Sequence, residues 1–403
     1  MSHSVETERN SPWAVFVIFL WLGLTAFGGP VAHLGYFREE FVLRRHWLSE
    51  HEYADLVALC QFLPGPASSQ VGIALGLSRA GYAGAWAAWA GFTLPSATLL
   101  ILCALGVARY GDAIPPGLLH GLKVVAVAVV VQAVWGMSRS LCPDAPRIGI
   151  MVVAAGFALL VPTVWGQMAV MAMAAMVGVL WLRAAVPAVT QKPVPHTRRL
   201  RAGLYCLILF CGLLLGLPLL SAMFASPWLS MVDAFYRVGS LVFGGGHVVM
   251  PLLQAELVPS GWVNPDVFLA GYGLVQAVPG PLFTFAAFLG ASMNHEPAGW
   301  LGGVVCLLAI FAPSFLLVVG VLPFWERLRS HARMRSALSG TNAAVVGLLL
   351  AALYRPVWTG AIHTPLDGGL VLLALVALMA WKLPPWLVVL GGGLVGWLIQ
   401  TVW

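Results

Sequence analysis

Pro64-Gly65-Pro66 and Pro279-Gly280-Pro281 interrupt two apolar stretches, each three residues after a glutamine, Gln61 and Gln276. Proline disfavours helix in the residue before it, glycine turns freely, and proline is favoured as the first residue of a new helix. Each tripeptide therefore predicts a helix end, a tight turn and a fresh helix start. A fresh start carries unpaired N–H groups and the positive end of the helix dipole, which together suit an anion. Ser68 and Ser69 after the first tripeptide, and Thr284 after the second, add hydroxyls in the same register. Upstream of each lies a glycine cluster, Phe27-Gly28-Gly29-Pro30 and Phe243-Gly244-Gly245-Gly246, which predicts two more such breaks. His33 and His247 follow these clusters and are residues that can carry protons; capping or packing is the alternative use.

Magnitudes limit what helix ends can do alone. One terminus contributes about 0.3–1 kcal/mol when exposed and about 2 kcal/mol when partly buried. Desolvating an ion costs several kcal/mol, so four termini would barely hold a dianion without a fixed cation or retained water. Arg237 is the first choice: it lies nine residues beyond Trp228, roughly 13 Å along a helix. Asp233, one turn earlier, falls on the same face, and the two read equally as a structural ion pair. Lys123 is the second choice, with snorkelling to the surface as its alternative. Glu256 is a candidate coupling carboxylate or an interfacial acid. The run His51-Glu52-Tyr53-Ala54-Asp55 lacks the second histidine and third ligand of a zinc motif, so no metal site is expected, and no cofactor.

The elements that must hold these residues are membrane helices. Of 403 residues 60% are hydrophobic and 9% charged, and mean hydropathy is +0.90, whereas soluble domains carry about a quarter charged residues. Apolar runs such as 86–107, 118–137, 301–322 and 337–353 approach or exceed the roughly 20 residues that span a bilayer. The composition predicts an all-α polytopic membrane protein with eleven to thirteen hydrophobic segments, some too short to span alone. The +6 net charge sits in short loops, as lipid orientation demands, which argues against nucleic acid. Six scattered cysteines form no disulfide or metal framework.

The chain repeats itself. Ser11-Pro12-Trp13 matches Ser226-Pro227-Trp228, Trp47-Leu48-Ser49 matches Trp262-Val263-Asn264, Pro95-Ser96 matches Pro313-Ser314, and Gly121 falls opposite Gly340. Phe27 and Phe243 lie 216 residues apart. Residues 1–182 form an N-terminal repeat, 183–225 a basic linker with a connecting helix, and 226–403 a C-terminal repeat. Arg38, Arg44 and Arg45 follow the first glycine break, while the matching stretch from Gln254 to Asp266 has no Lys or Arg. Later the bias reverses, with Arg109 set against Arg327, Arg329, Arg333 and Arg335. Opposite basic content in matching loops predicts an inverted-topology pair of helical repeats with broken or re-entrant helices. Alternating access by rocking one repeat against the other is the motion such a pair suggests.

Phe27-Gly28-Gly29-Pro30, Arg44-Arg45-His46-Trp47-Leu48 and Cys60-Gln61-Phe62-Leu63-Pro64-Gly65-Pro66, with Ser68, Ser69 and Gln70, resemble the chromate ion transporter family in its long, two-domain form. So do Phe243-Gly244-Gly245-Gly246-His247 and Gln276-Ala277-Val278-Pro279-Gly280-Pro281. The resemblance runs from about Trp13 to Tyr354. It implies a multi-pass protein of the bacterial inner membrane that exports chromate, a tetrahedral dianion with sulfate as its analogue, and so confers chromate resistance. It also implies coupling to the membrane potential or a proton gradient, and the chain has no Walker A loop for ATP. A sulfate or other oxyanion carrier and a passive anion channel stand as alternatives. An enzyme needs convergent nucleophile–base pairs, which the Gly, Pro, Ser and Gln inventory lacks. A homodimer is the assembly kept open.

Overall fold

A computed structural model describes residues 11–110, 115–182, 197–243, 246–325 and 331–402, and no strand occurs among them. Gly244, Gly245, Arg327, Arg329 and linker residues 183–196 lie outside the described residues. Among the described residues, five helices are long and apolar enough to cross a bilayer. Their outward faces are apolar: Leu215, Leu219 and Met223 are all strongly exposed. The chain is an α-helical, multi-pass membrane protein.

The first half opens with two helical hairpins. Helix α1 (Pro12–Thr25) starts at Ser11, whose hydroxyl accepts from the Trp13 N–H, with proline in the first turn. It breaks at Gly28, whose φ of +101° suits glycine. Helix α2 (Gly29–Arg38) returns from the break and runs on as a π turn, Glu39–Arg44. Phe19 of α1 meets Phe37 and Phe41 at ring distances of 5.6 and 5.1 Å, so the legs are antiparallel. Helix α3 (Glu50–Phe62) begins with a capping box between Ser49 and Glu52 and stops ahead of Pro64. Helix α4 (Ala67–Tyr110) follows Pro66 and is two legs, because Ala80 and Gly81 leave helical geometry. Arg79, at the end of the first leg, lies over the Trp47 ring at 4.7 Å. The second hairpin thus returns to the level where it began, with Pro64-Gly65-Pro66 at its tip.

The second half repeats this plan. Helix α9 (Pro227–Leu241) and helix α10 (Val249–Leu257) form one hairpin, with Arg237 reaching Glu256 across the legs at 2.9 Å. Helix α11 (Pro265–Val275) leads to Pro279-Gly280-Pro281, and the short α12 (Phe285–Ala291) returns from it. The Asn294 N–H then donates to the Trp262 carbonyl at 2.9 Å, closing the base as Arg79 does on Trp47. Legs of 13–15 residues such as α1, α3 and α9 are about 20 Å long. That falls short of a hydrocarbon core of about 30 Å.

Long helices frame the hairpins. The second leg of α4, residues 82–110, and α13 (Gly299–Val321) run antiparallel: Trp86 stacks on Phe315 at 4.2 Å and Trp89 meets Phe311 at 5.6 Å. The remaining helices exchange partners between the halves. Helix α5 (Pro116–Leu141) packs on α15 (Pro365–Leu375) and α16 (Pro385–Val402), with His120 bonded to Asp367 at 2.7 Å. Helix α14 (Ala332–Ala352) packs instead on α6 (Ala145–Leu160) and α7 (Val164–Trp181) of the first half. Glycines allow these close approaches. A Cβ on Gly121 would come within 3.1 Å of Gly393 Cα, and one on Gly340 within 3.1 Å of Gly178 Cα. Helix α8 (Thr197–Phe224) joins the halves and packs on α9 and α13.

Candidate functional site

The described residues of the four breaks meet one another. The Gly65 N–H donates to the Val242 carbonyl at 2.7 Å, and the Gly280 N–H donates to the Ala26 carbonyl at 3.0 Å. Each Pro-Gly-Pro tip thereby closes on the residue preceding the Phe-Gly break of the opposite half. The steric neighbours are reciprocal too. A Cβ on Gly65 would lie 2.6 Å from Ser314 Oγ, and one on Gly280 would lie 2.7 Å from Ser96 Oγ. These serines follow the matched prolines of the two long helices. The glycine breaks also touch one another, since the Cβ position of Gly246 is 3.3 Å from Pro30 Cγ.

His33 fastens the first break. Its Nε2–H donates to the Ala26 carbonyl at 3.1 Å, which leaves Nδ1 to face the Ser68 hydroxyl at 3.4 Å. A carbonyl can only accept, so this bond fixes the tautomer. The ring is buried, edge-on to Phe92. His247 is held differently, with Nδ1 3.0 Å from the buried Tyr272 hydroxyl. With the phenol donating, the ring proton sits on Nε2, which faces Gly29: a Cβ there would be 3.8 Å away. Tyr272 was not legible as a site residue, because it reads as one more aromatic on an apolar helix.

A cavity of about 940 Å³ opens beside the joined tips. Gly28, Gly29, Pro30, Gln61 and Gly65 line it from the first half, and His247 and Gln276 from the second. The opposite wall is α5, α14 and the turn between α15 and α16, contributing Gln132, Ser140, Asn342 and Lys382. None of these four was selected from the sequence; on long apolar helices a single amide carries no positional signal.

The other sequence candidates shape or brace the site from behind. Pro64, Pro66, Pro279, Gly280 and Pro281 form the tips without lining the cavity. Thr284 spends its hydroxyl on the Pro281 carbonyl at 2.7 Å, while Ser69 Oγ is buried without a partner among the described residues. The Gly65 and Gly280 amides are consumed by the cross-half bonds. Arg237 bonds Asp233 at 2.8 Å and Glu256 at 2.9 Å, inside the α9–α10 hairpin and away from the cavity wall. Lys123 pairs with Asp266 at 2.8 Å. Gly244 and Gly245 lie outside the described residues. No cluster of three metal-ligating residues occurs among those described.

Known proteins resemble the chain over most of its length. A sequence profile described as chromate transporter matches residues 13–225 and 229–397. A chromate transport protein of Pseudomonas aeruginosa is 30% identical, over 96% of this chain and 92% of its own length. A chromate transport protein of Cupriavidus metallidurans is 26% identical, over 94% and 90%. An uncharacterized transporter of Methanocaldococcus jannaschii is 26% identical, over 86% and 85%. No solved structure matches the chain.

Proposed function

The chain belongs to the chromate transporter family, and from that premise we propose that it is a secondary active transporter exporting chromate across a bacterial inner membrane. It is not an enzyme. The observation that carries the reading is the junction of four helix breaks beside one cavity. In lipid, broken backbone is tolerated only where it is buried in protein or lines a cavity, and paired breaks mark transport sites. Chromate, with sulfate as its analogue, binds among Gly28, Gly29, Pro30, Gln61, Gly65, His247 and Gln276. Pro64, Pro66, Ser68, Ser69, Gly246, Pro279, Gly280, Pro281 and Thr284 hold the tips in shape.

The two repeats, 1–182 and 226–403, are inverted copies joined through 183–225. Their antiparallel long helices and reciprocal tip bonds support that relation. The exchanged packing alters the motion to expect. Rocking repeat against repeat would tear α5 from α15 and α16, and α14 from α6 and α7. The moving bodies are therefore the hairpin bundle on one side and the exchanged helices on the other, with the cavity between them. Transport is driven by the membrane potential or a proton gradient. His33, Lys123, Asp233 and Glu256 are the candidate coupling groups, and Arg237 pairs with the last two.

Everted vesicles carrying the full chain test this. Energised vesicles are expected to accumulate chromate above the external concentration, to lose it on adding a protonophore, and to be inhibited by sulfate. Flux that only follows the anion's own gradient would replace the carrier by a channel. Transport of sulfate with no competition from chromate would replace the substrate.

A further inference from the structure

Arg237 and Lys123, the cations the sequence singles out, are both committed to carboxylates. We propose that Lys382 is the cation that pairs with the tetrahedral oxyanion as it enters the cavity, and this rests on the transport reading above. Of the described residues lining the cavity, Lys382 alone is a lysine or arginine. No carboxylate pairs with it among the described residues.

Its backbone sets it apart. Helix α15 ends in a π turn, Val376–Ala380, and the Trp381 and Leu383 N–H groups fold back to the Val376 and Ala377 carbonyls at 3.0 and 2.9 Å. Lys382 sits between them with φ of +53°. Glycine adopts that conformation freely, whereas a lysine is strained, and strain of this kind concentrates at ligand sites. Pro384 and Pro385 then start α16 at once. The Trp386 ring lies 5.9 Å from Phe27 of the first break. The helix that begins just after Lys382 thus touches the segment that forms the first glycine break.

The neighbours suit an oxyanion. Gln132 and Ser140 on α5 and Asn342 on α14 line the same cavity. The exposed ammonium supplies charge on a flexible stem, which can follow an anion inward, and the Gln132 and Asn342 amide N–H groups are the donors for its oxygens, since the Ser140 hydroxyl already donates to the Gly136 and Met137 carbonyls. The corresponding turn between α6 and α7, Val161-Pro162-Thr163, carries no cation. A dianion gains more from the Lys382 ammonium than a monoanion does.

Purified full-length protein in liposomes gives the test, read as initial chromate flux over a range of concentrations. Lys382→Gln is expected to raise KM about tenfold, the loss of one charge-assisted pair, with Vmax within about twofold. Lys382→Arg should restore most of the affinity. Lys382→Gly, which relaxes the backbone and removes the charge, should follow Lys382→Gln in KM while unfolding at a higher temperature. Wild-type flux with an unchanged KM in both neutral variants overturns the assignment alone. Absence of chromate flux in the wild type, with folded protein in the liposomes, overturns the transport reading and this proposal with it.

Discussion

Gly65 and Gly280 each do two things that no other residue type does together. They take φ of +121° and +109°, and they leave room for a serine hydroxyl where a Cβ would sit. The same backbone amides then cross to the other half. Gly280→Ala should lower stability by roughly 2–4 kcal/mol, combining left-handed strain with overpacking. Thermal unfolding in detergent measures this. Adding Ser96→Ala removes the contact at 2.7 Å but leaves Ser96 Cβ at 3.1 Å, so only part of the loss should return. Full recovery would mean that sterics, not backbone conformation, govern the tip. Arg237 teaches the complementary lesson. Its value as a cation was visible in one helix, but Glu256 comes from the return leg of the hairpin, and nothing local announces that partner.

At the scale of helices, the breaks were legible and their company was not. Pro-Gly-Pro and Phe-Gly-Gly act through backbone geometry, which is local and so survives in a linear reading. Matched Pro95-Ser96 and Pro313-Ser314 were visible as a repeat, yet their seats against the opposite tips are tertiary. Lys382 was passed over because a lysine beside Trp381 at the end of an apolar run reads as an interfacial anchor. The exchange of α15 and α16 onto α5 was equally hidden, since one apolar helix offers the same pattern to any neighbour. Glycines give the one clue. Gly117 and Gly121 face Gly392 and Gly396, and small residues let membrane helices approach closely. Gly121→Leu should force α5 from α16 and lower stability by about 1–3 kcal/mol, with reduced yield of monodisperse protein on size exclusion. Gly136→Leu, on the same helix where a Cβ meets nothing within 4 Å, should have little effect.

The whole molecule makes a claim about sides. If the repeats are inverted, the base of the α3 hairpin and the base of the α11 hairpin face opposite compartments. His51→Cys and Ser260→Cys, each at an exposed position in a chain whose six cysteines have been replaced, should react with an impermeant thiol reagent from opposite faces of vesicles. Labelling of both from one face would remove the inversion.

The crossed amide bonds carry a last consequence. Neither half can saturate its own tip, because the acceptor for Gly65 belongs to the second half and the acceptor for Gly280 to the first. A polypeptide cut within 183–196 and made as two pieces would leave each piece with a dangling donor, a bare carbonyl and helices lacking their exchanged mates. Such fragments are complementary rather than crippled. The covalent tether sets their stoichiometry, while the clasp at the centre is what makes them one machine.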